Sequence, residues 1–228
     1  ILVRDSRSIK ILEKLGIDKN KIHLYHDVVL GTVFDDSYRM RMSKRRKIGI
    51  NISSYFEGEL IRPRVQTVQR WAHILSSIIT KMEQQGLTVR FVLTSSTDRW
   101  IAEVINKHLK RHLDILDPGC RTFQEIIREI CSLDVYITMR MHGAIFALNC
   151  GIPVIGLCFT EKMYNFFSDM HLELNMIDLR GIASPPDGFE EKIVNLVLGL
   201  LESSSKVPPL ELQIEGDPFI PIFRALQR

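Results

Sequence analysis

Short apolar runs alternate with longer amphipathic stretches along most of the chain, and this rhythm constrains the fold more than any other feature. IGINIS (48–53) is such a run; after a polar loop, residues 63–85 carry apolar positions at helical spacing and stop at Gly86. LTVRFVLTSS (87–96) is rich in β-branched residues, and DRWIAEVINKHLKR (98–111) returns to helical spacing. LDILDPG supplies a short strand ended by Pro118 and Gly119. TFQEIIREICSL then reads as a helix with Thr122 as N-cap and Glu125 completing a capping box. VYITM (135–139), AIFALNCG with Gly151 as its stop, IPVIGLCF (152–159), EKMYNFFSDMHL, NMIDL and FEEKIVNLVLGLLES repeat strand and helix three times more. Continuous apolar strands alternating with helices have to be covered on both faces, so the expected class is α/β with a doubly wound parallel sheet.

The first thirty residues follow the same grammar, with ILV as strand, SRSIKILEKLG as helix stopped by Gly16, and KIHLYHD as strand. GTVFDDSYRMRMSKRRK (31–47) lacks periodicity and reads as an interdomain linker. The expected organisation is therefore the last β-α-β of one domain in 1–30, a linker in 31–47, and a second α/β domain in 48–203. An extended tail rich in proline (Pro208, Pro209, Pro218, Pro221) fills 204–228. The start at Ile1, without Met or a signal peptide, reads as the continuation of a longer protein. No run approaches the roughly 18 consecutive apolar residues of a membrane span.

Charge narrows the partners. Formal net charge is +3 at pH 7, and the 30 basic residues are dispersed, so no polyanionic polymer is required. No aromatic residues interleave with the basic clusters as a stacking platform for nucleic acid would need. The cluster Lys44, Arg45, Arg46, Lys47 reads as a solvated segment or as a peripheral contact with anionic membrane lipid or nucleic acid. KHLKRH (107–112) falls at a helix end, where cations complement the dipole. Cys120, Cys131, Cys150 and Cys158 form no CxxC pair and read as buried thiols in a reducing, cytoplasmic setting. No metal is expected: His23 and His26 point to opposite faces of a strand, and His108 and His112 lack a third ligand. No P-loop and no G-x-G-x-x-G pattern occurs.

Ligands of open parallel sheets bind beyond the carboxyl ends of the strands, at helix amino termini. Arg140, His142 and Gly143 occupy such a turn after VYITM, where unpaired N–H groups favour an anion and Gly143 leaves room for its approach. Lys162 sits in the equivalent turn after IPVIGLCF, and Arg4 follows the strand ILV. Four cations on strand ends are thus expected to converge on one cleft. Each also has a plain structural reading: Arg140 paired with a carboxylate such as Asp134, His142 bonded to backbone, Arg4 paired with Asp5, Lys162 solvated. Asn51 and Thr138, also at strand ends, are candidates for polar contacts or for backbone caps, and Asp98 reads as a helix N-cap.

At these residues the chain resembles a known family. T-M-R-M-H-G-A-I-F-A-L-N-C-G-I-P-V-I-G-L (138–157) followed by E-K, the opening V-R-D-S-R-S-I-K-I-L-E-K-L-G, an aspartate at 27 and I-G-I-N-I-S are similar to the polysaccharide pyruvyl transferases over about residues 1–180. Met141 stands where the family often has leucine. The resemblance implies two Rossmann-like halves in a GT-B-like arrangement, of which this chain carries the second and the end of the first. It implies transfer of pyruvate from phosphoenolpyruvate onto a sugar, or a lipid-linked oligosaccharide, as a ketal, without cofactor or metal. By matching positions, Arg4, His142 and Lys162 resemble the family's essential residues, with Arg140 and His142 holding the donor. Lys162 and the helix terminus at Gly143 would then stabilise departing phosphate, with Arg4 closing the cleft. His142 is open as phosphate ligand or general acid. A GT-B glycosyltransferase using a nucleotide sugar, with Glu173 or Asp178 toward the ribose, and a noncatalytic anion- or sugar-binding module are the competing expectations.

Overall fold

The computed structural model describes residues 1–24, 27, 29, 46–53, 65–182 and 185–202. The expected linker, apart from Arg46 and Lys47, and the expected tail lie outside the described residues, as do Lys44, Arg45 and His26. β1 (Leu2–Val3), α1 (Ser6–Lys14) and β2 (His23–Leu24) form a small unit in which the two strands pair in parallel. The main sheet then follows, with β3 (Lys47–Asn51), α2 (Val65–Gln84), β4 (Thr88–Val92), α3 (Arg99–Leu109), β5 (Ile115–Leu116), α4 (Phe123–Cys131), β6 (Val135–Thr138), α5 (Met141–Asn149), β7 (Val154–Cys158), α6 (Glu161–Asp169), β8 (Met176–Asp178) and α7 (Phe189–Glu202).

All six strands of this sheet are parallel, in the order β5-β4-β3-β6-β7-β8. The chain winds outward from β3 to β5, crosses back to β6 on the other side of β3, and winds outward again to β8. Winding sense reverses between β3 and β6, where Asn51 is the register partner of Thr138. A reversal of this kind opens a crevice beyond the strand ends, because the helices on its two sides leave in opposite directions.

Each face of the sheet has its own core. α2, α3 and α7 cover one, where Trp71 meets Phe159 edge-on at 4.9 Å and Phe189 at 5.6 Å. α4, α5 and α6 cover the other, with Ile127, Tyr136, Ile145 and Phe167 among the buried side chains. α5 is buried from Gly143 to Asn149, which explains why its sequence shows an apolar run in place of a stripe. The Thr122–Glu125 capping box forms as expected, and Gly86 and Gly151 end their helices at φ of +76° and +70°.

Three expectations need correction. Asp98 caps nothing: Ser96–Asp98 is a 3-10 turn whose backbone runs in helical geometry straight into α3, so the extended cap position is missing. Cys131 and Cys150 are joined in a disulfide, because α4 and α5 lie side by side and bring their C-terminal ends to a Cα separation of 5.2 Å. Cys120, after the Pro118–Gly119 turn, is exposed, so only Cys158 remains a buried thiol, its pKa pushed up to about 12 by burial.

α5 sits close to the strand ends. A Cβ on Gly143 would lie 2.5 Å from Asn51 Nδ2 and 2.8 Å from Thr138 Oγ1. Gly143→Ala is therefore expected to destabilise the fold by about 1–3 kcal/mol through overpacking, read as a lower midpoint in chemical denaturation.

Candidate functional site

Three helix termini bring the site together. Asp5 caps α1 by accepting from Ser8 N at 2.8 Å, and α1 is fastened to α6 through Ser6, whose N and Oγ donate to Asp169 at 3.1 and 2.6 Å. Arg7 adds an ion pair with Glu161 at 3.1 Å. This fastening seats Arg4, at the end of β1, facing Lys162 in the first turn of α6. His142 comes from the first turn of α5. Between them stands Asp27, with Oδ2 3.8 Å from Arg4 Nη1 and 3.7 Å from His142 Nε2. A cavity of about 270 Å³ opens here, lined by Arg4, Ile11, Asp27, Met141, Lys162 and Phe166 among others. That is the small end of the range for ligand pockets.

The other expected residues lie behind this cluster, at the switch point between β3 and β6. Arg140 turns its fork away from the cavity: Nε and Nη2 donate to Asp98 at 2.5 and 2.8 Å. Asp98 is fully buried and the Arg140 side chain is 25% exposed. Asp134, the carboxylate nearest in sequence, instead accepts from Lys47 N at 2.7 Å. Thr138 Oγ1 accepts from Arg140 N and donates to Arg140 O, both at 3.0 Å, so its hydroxyl braces the turn into α5. Asn51 Nδ2 donates to Thr94 Oγ1 at 2.9 Å. Gly143 presents its bare Cα to these strand ends, where packing demands a glycine. The structure thus places Arg4 and Lys162 on the cavity wall and His142 beside it, across Asp27, with Arg140, Asn51, Thr138 and Gly143 in the frame behind.

The cavity lining sets Arg4, Arg7 and Lys162 against Asp5, Asp27, Glu161 and Asp169, and three of these acids are engaged, Asp5 by Ser8, Glu161 by Arg7 and Asp169 by Ser6. Burial lowers the pKa of Lys162, with Arg4 adding to that and Asp27 opposing it. Among the described residues Lys162 has no hydrogen-bond or ion-pair partner. His142 is also lowered, first by burial and further by Lys162, Arg4 and Arg140, against the raising effect of Asp27. The N–H groups of Met141, His142 and Gly143 at the start of α5 add the positive end of a helix dipole. Three carboxylates matter more here than the sequence suggests: Asp27 between the cations, marked in sequence only by the family resemblance; Asp98 behind Arg140, read in sequence as a cap; and Asp169 on Ser6, which carries no sequence signal. Among the described residues no group of His, Cys, Asp and Glu has the geometry of a metal site. No helix of the described residues is long and apolar enough to cross a membrane. The basic Arg46 and Lys47 lie at the opposite, amino-terminal edge of the sheet, where Arg46 O accepts from Thr88 N.

Solved structures share this architecture. A UDP-GlcNAc 2-epimerase from Methanocaldococcus jannaschii, in complex with UDP-GlcNAc and UDP, superposes with a TM-score of 0.61 at 15% identity, over 100% of this chain and 60% of that one. Another structure of the M. jannaschii enzyme gives 0.56 at 14% identity, over 89% and 55%. ADP-heptose LPS heptosyltransferase II of E. coli gives 0.48 at 14% identity, over 70% and 47%. The epimerase likeness carries the fold, in keeping with the GT-B-like expectation, and the chain spans 47 to 60% of the length of these proteins. No curated protein matches the sequence at a significant level. The family description "Polysaccharide pyruvyl transferase" matches residues 1–157, the region that contains β1, α1, Asp27, the switch point and the start of α5. This chain belongs to the polysaccharide pyruvyl transferase family.

Proposed function

We propose that the chain transfers pyruvate from phosphoenolpyruvate to two hydroxyls of a sugar as a ketal, in polysaccharide or cell-surface glycan synthesis. In this reading residues 1–30 close the site from the end of the first Rossmann-like half and residues 48–203 carry the donor. The observation that supports it most is Lys162, an exposed ammonium with no partner among the described residues, which shares a small cavity with Arg4 beside His142. A compact molecule with phosphate on one side and carboxylate on the other answers that arrangement.

The chemistry follows from the donor. A proton goes to the methylene carbon, which becomes the methyl group, and the electron-poor carbon beside it forms a bond to the first sugar hydroxyl oxygen. The bond from that carbon to the phosphate oxygen breaks, the second hydroxyl closes the ketal, and inorganic phosphate leaves. The product keeps the donor's carboxylate. Two hydroxyl protons are released in all, one balancing the protonated methylene and one leaving with phosphate. Lys162 and the α5 terminus face the charge that develops on phosphate, the kind of fixed stabilisation that needs no rearrangement during reaction. Arg4 binds the donor from the α1 side. The nucleotide-sugar reading has less to stand on: Asp178 is clamped by Arg180 Nε and Nη2 at 2.8 and 2.7 Å, and Glu173 is exposed in a 3-10 turn.

Thermal unfolding of the full chain separates the two. Phosphoenolpyruvate at 100 times its dissociation constant is expected to add about 2.7 kcal/mol of stability, with UDP-sugars adding none; the reverse result removes the proposal. Phosphate release from phosphoenolpyruvate across a panel of sugar acceptors then identifies the acceptor. Removing the Arg4 guanidinium (Arg4→Ala) is expected to weaken donor binding by about 1.5–3 kcal/mol, measured by calorimetry.

His142 sets the pH dependence. Its pKa in the ligand-free site lies below the usual 6.5, so at neutral pH the imidazole is largely uncharged. A donor carrying several negative charges favours the imidazolium and raises that pKa, so binding takes up a proton. Donor affinity is therefore expected to be highest below the ligand-free pKa and to weaken as pH rises from there to the raised pKa, by at most about tenfold per unit for one proton, levelling off above it. His142→Gln should flatten that dependence. As general acid, His142 would cost about 10²- to 10⁴-fold in kcat when replaced by Ala; as phosphate ligand alone, it would raise the donor KM and spare kcat.

A further inference from the structure

Asp169 is the last residue of α6, where a carboxylate meets the negative end of its own helix dipole. Its partners lie on another helix. Oδ2 accepts from Ser6 N at 3.1 Å and Oδ1 from Ser6 Oγ at 2.6 Å, so the carboxylate stands at the amino terminus of α1, the end where negative charge is favourable. Burial does little to hold α1, since none of its residues is buried. The Arg7–Glu161 pair that also joins the two helices is about half exposed on both sides, a kind that contributes little. Arg4 precedes Ser6 by two residues, and the intervening Asp5 closes the start of α1 by accepting from Ser8 N and Oγ. Residues 4–8 are thereby tied into one piece, whose Arg4, Asp5, Arg7 and Ser8 line the cavity together with Lys162.

We propose that Asp169 is a positioning residue: through Ser6 it holds the amino terminus of α1 on α6, and so fixes where Arg4 stands relative to Lys162 at the cavity. The consequence for phosphoenolpyruvate rests on the pyruvyl-transfer reading; the consequence for α1 does not. Sign separates this role from that of simple charge. Asp169 itself lines the cavity, so a carboxylate acting only through its field would repel an anionic ligand, and its removal would tighten binding. A carboxylate that seats Arg4 does the opposite. Its removal weakens binding, because a charge-assisted contact depends steeply on position, whereas the field of a partly exposed charge is screened by water.

The test uses the full chain and two readouts. Hydrogen exchange at the amides of residues 10–14 reports how firmly α1 is seated, and calorimetric titration with phosphoenolpyruvate reports the site. Asp169→Ala is expected to speed that exchange by about tenfold or more and to weaken phosphoenolpyruvate binding by about tenfold. Ser6→Ala removes one of the two bonds and leaves every charge in place, so both readouts should move the same way by less. The double variant should be no worse than Asp169→Ala alone, since the two residues act through one contact. Ser6→Thr keeps both donors and should retain wild-type behaviour in each readout. Unchanged exchange in folded Asp169→Ala protein overturns the proposal, and so does faster exchange with unchanged or tighter phosphoenolpyruvate binding. Should Asp169→Ala not fold, Ser6→Ala decides by the same criteria. A wild-type chain that does not bind phosphoenolpyruvate removes the transferase reading, and the exchange, which needs no donor, then decides alone.

Discussion

The close seating of α5 on the ends of β3 and β6 is the constraint from which the rest of the site follows. Gly143 leaves no gap between helix and strands: Asn51 and Thr138 occupy the space where its side chain would be. With the helix this near, the turn into it must be short, and Thr138 closes it by bonding both ends of the Arg140 peptide. Residues 140 and 142 then leave the turn in different directions. One cation goes inward to a carboxylate on the α3 side, and the other goes outward to a carboxylate shared with the β1–α1 unit.

That division matters because cations of one sign repel. Arg4, Lys162, His142 and Arg140 all lie near one rim, and without partners they would lower each other's charge. Asp98 takes one of them out of the competition. Asp27 compensates two others from a distance of almost 4 Å, too long for a hydrogen bond, so it tempers their charge without tying either down. Glu161, which also lines the cavity, is engaged by Arg7 and Arg180 at 3.1 and 2.8 Å. The net result is a cavity whose acids are mostly engaged and whose ammonium has no partner among the described residues.

The fold was legible because burial on both sheet faces leaves a pattern along the sequence: β6 and β7 at the centre of the main sheet are apolar runs, and α2, α3 and α4 carry an apolar stripe. Arg4, His142 and Lys162 were legible for a related reason, since the position of a cation just after a strand is a local property that a parallel sheet converts into proximity. The partners of those cations were not legible. Asp98 is 42 positions from Arg140, and Asp169 is 163 from Ser6; each contact depends on how β4 sits beside β3, or on where the small β1–α1–β2 unit docks. Gly143 illustrates the same limit from the other side. In sequence it offers room for a ligand, and only the packing of α5 shows that the room is already taken by Asn51 and Thr138. The cysteines failed likewise, because the separation that pairs Cys131 with Cys150 is set by two helices lying abreast.

Burial sorts the two aspartates by what each can do during a reaction. Asp27 keeps some access to water, at 11% exposure, and faces side chains that are about half exposed. Its partners can move toward an incoming anion, and water can solvate what they leave behind. Asp98 has no such freedom. Once Arg140 departs, a bare carboxylate remains in a medium that cannot solvate it, at a cost of several kcal/mol. Parting Arg140 from Asp98 would carry that cost unless Asp98 took up a proton at the same moment. The inner pair is thus the costlier one to open, and the outer cluster the easier one to rearrange. On that argument the rim has a fixed half and a mobile half, and the boundary between them is the short turn from Thr138 to Gly143.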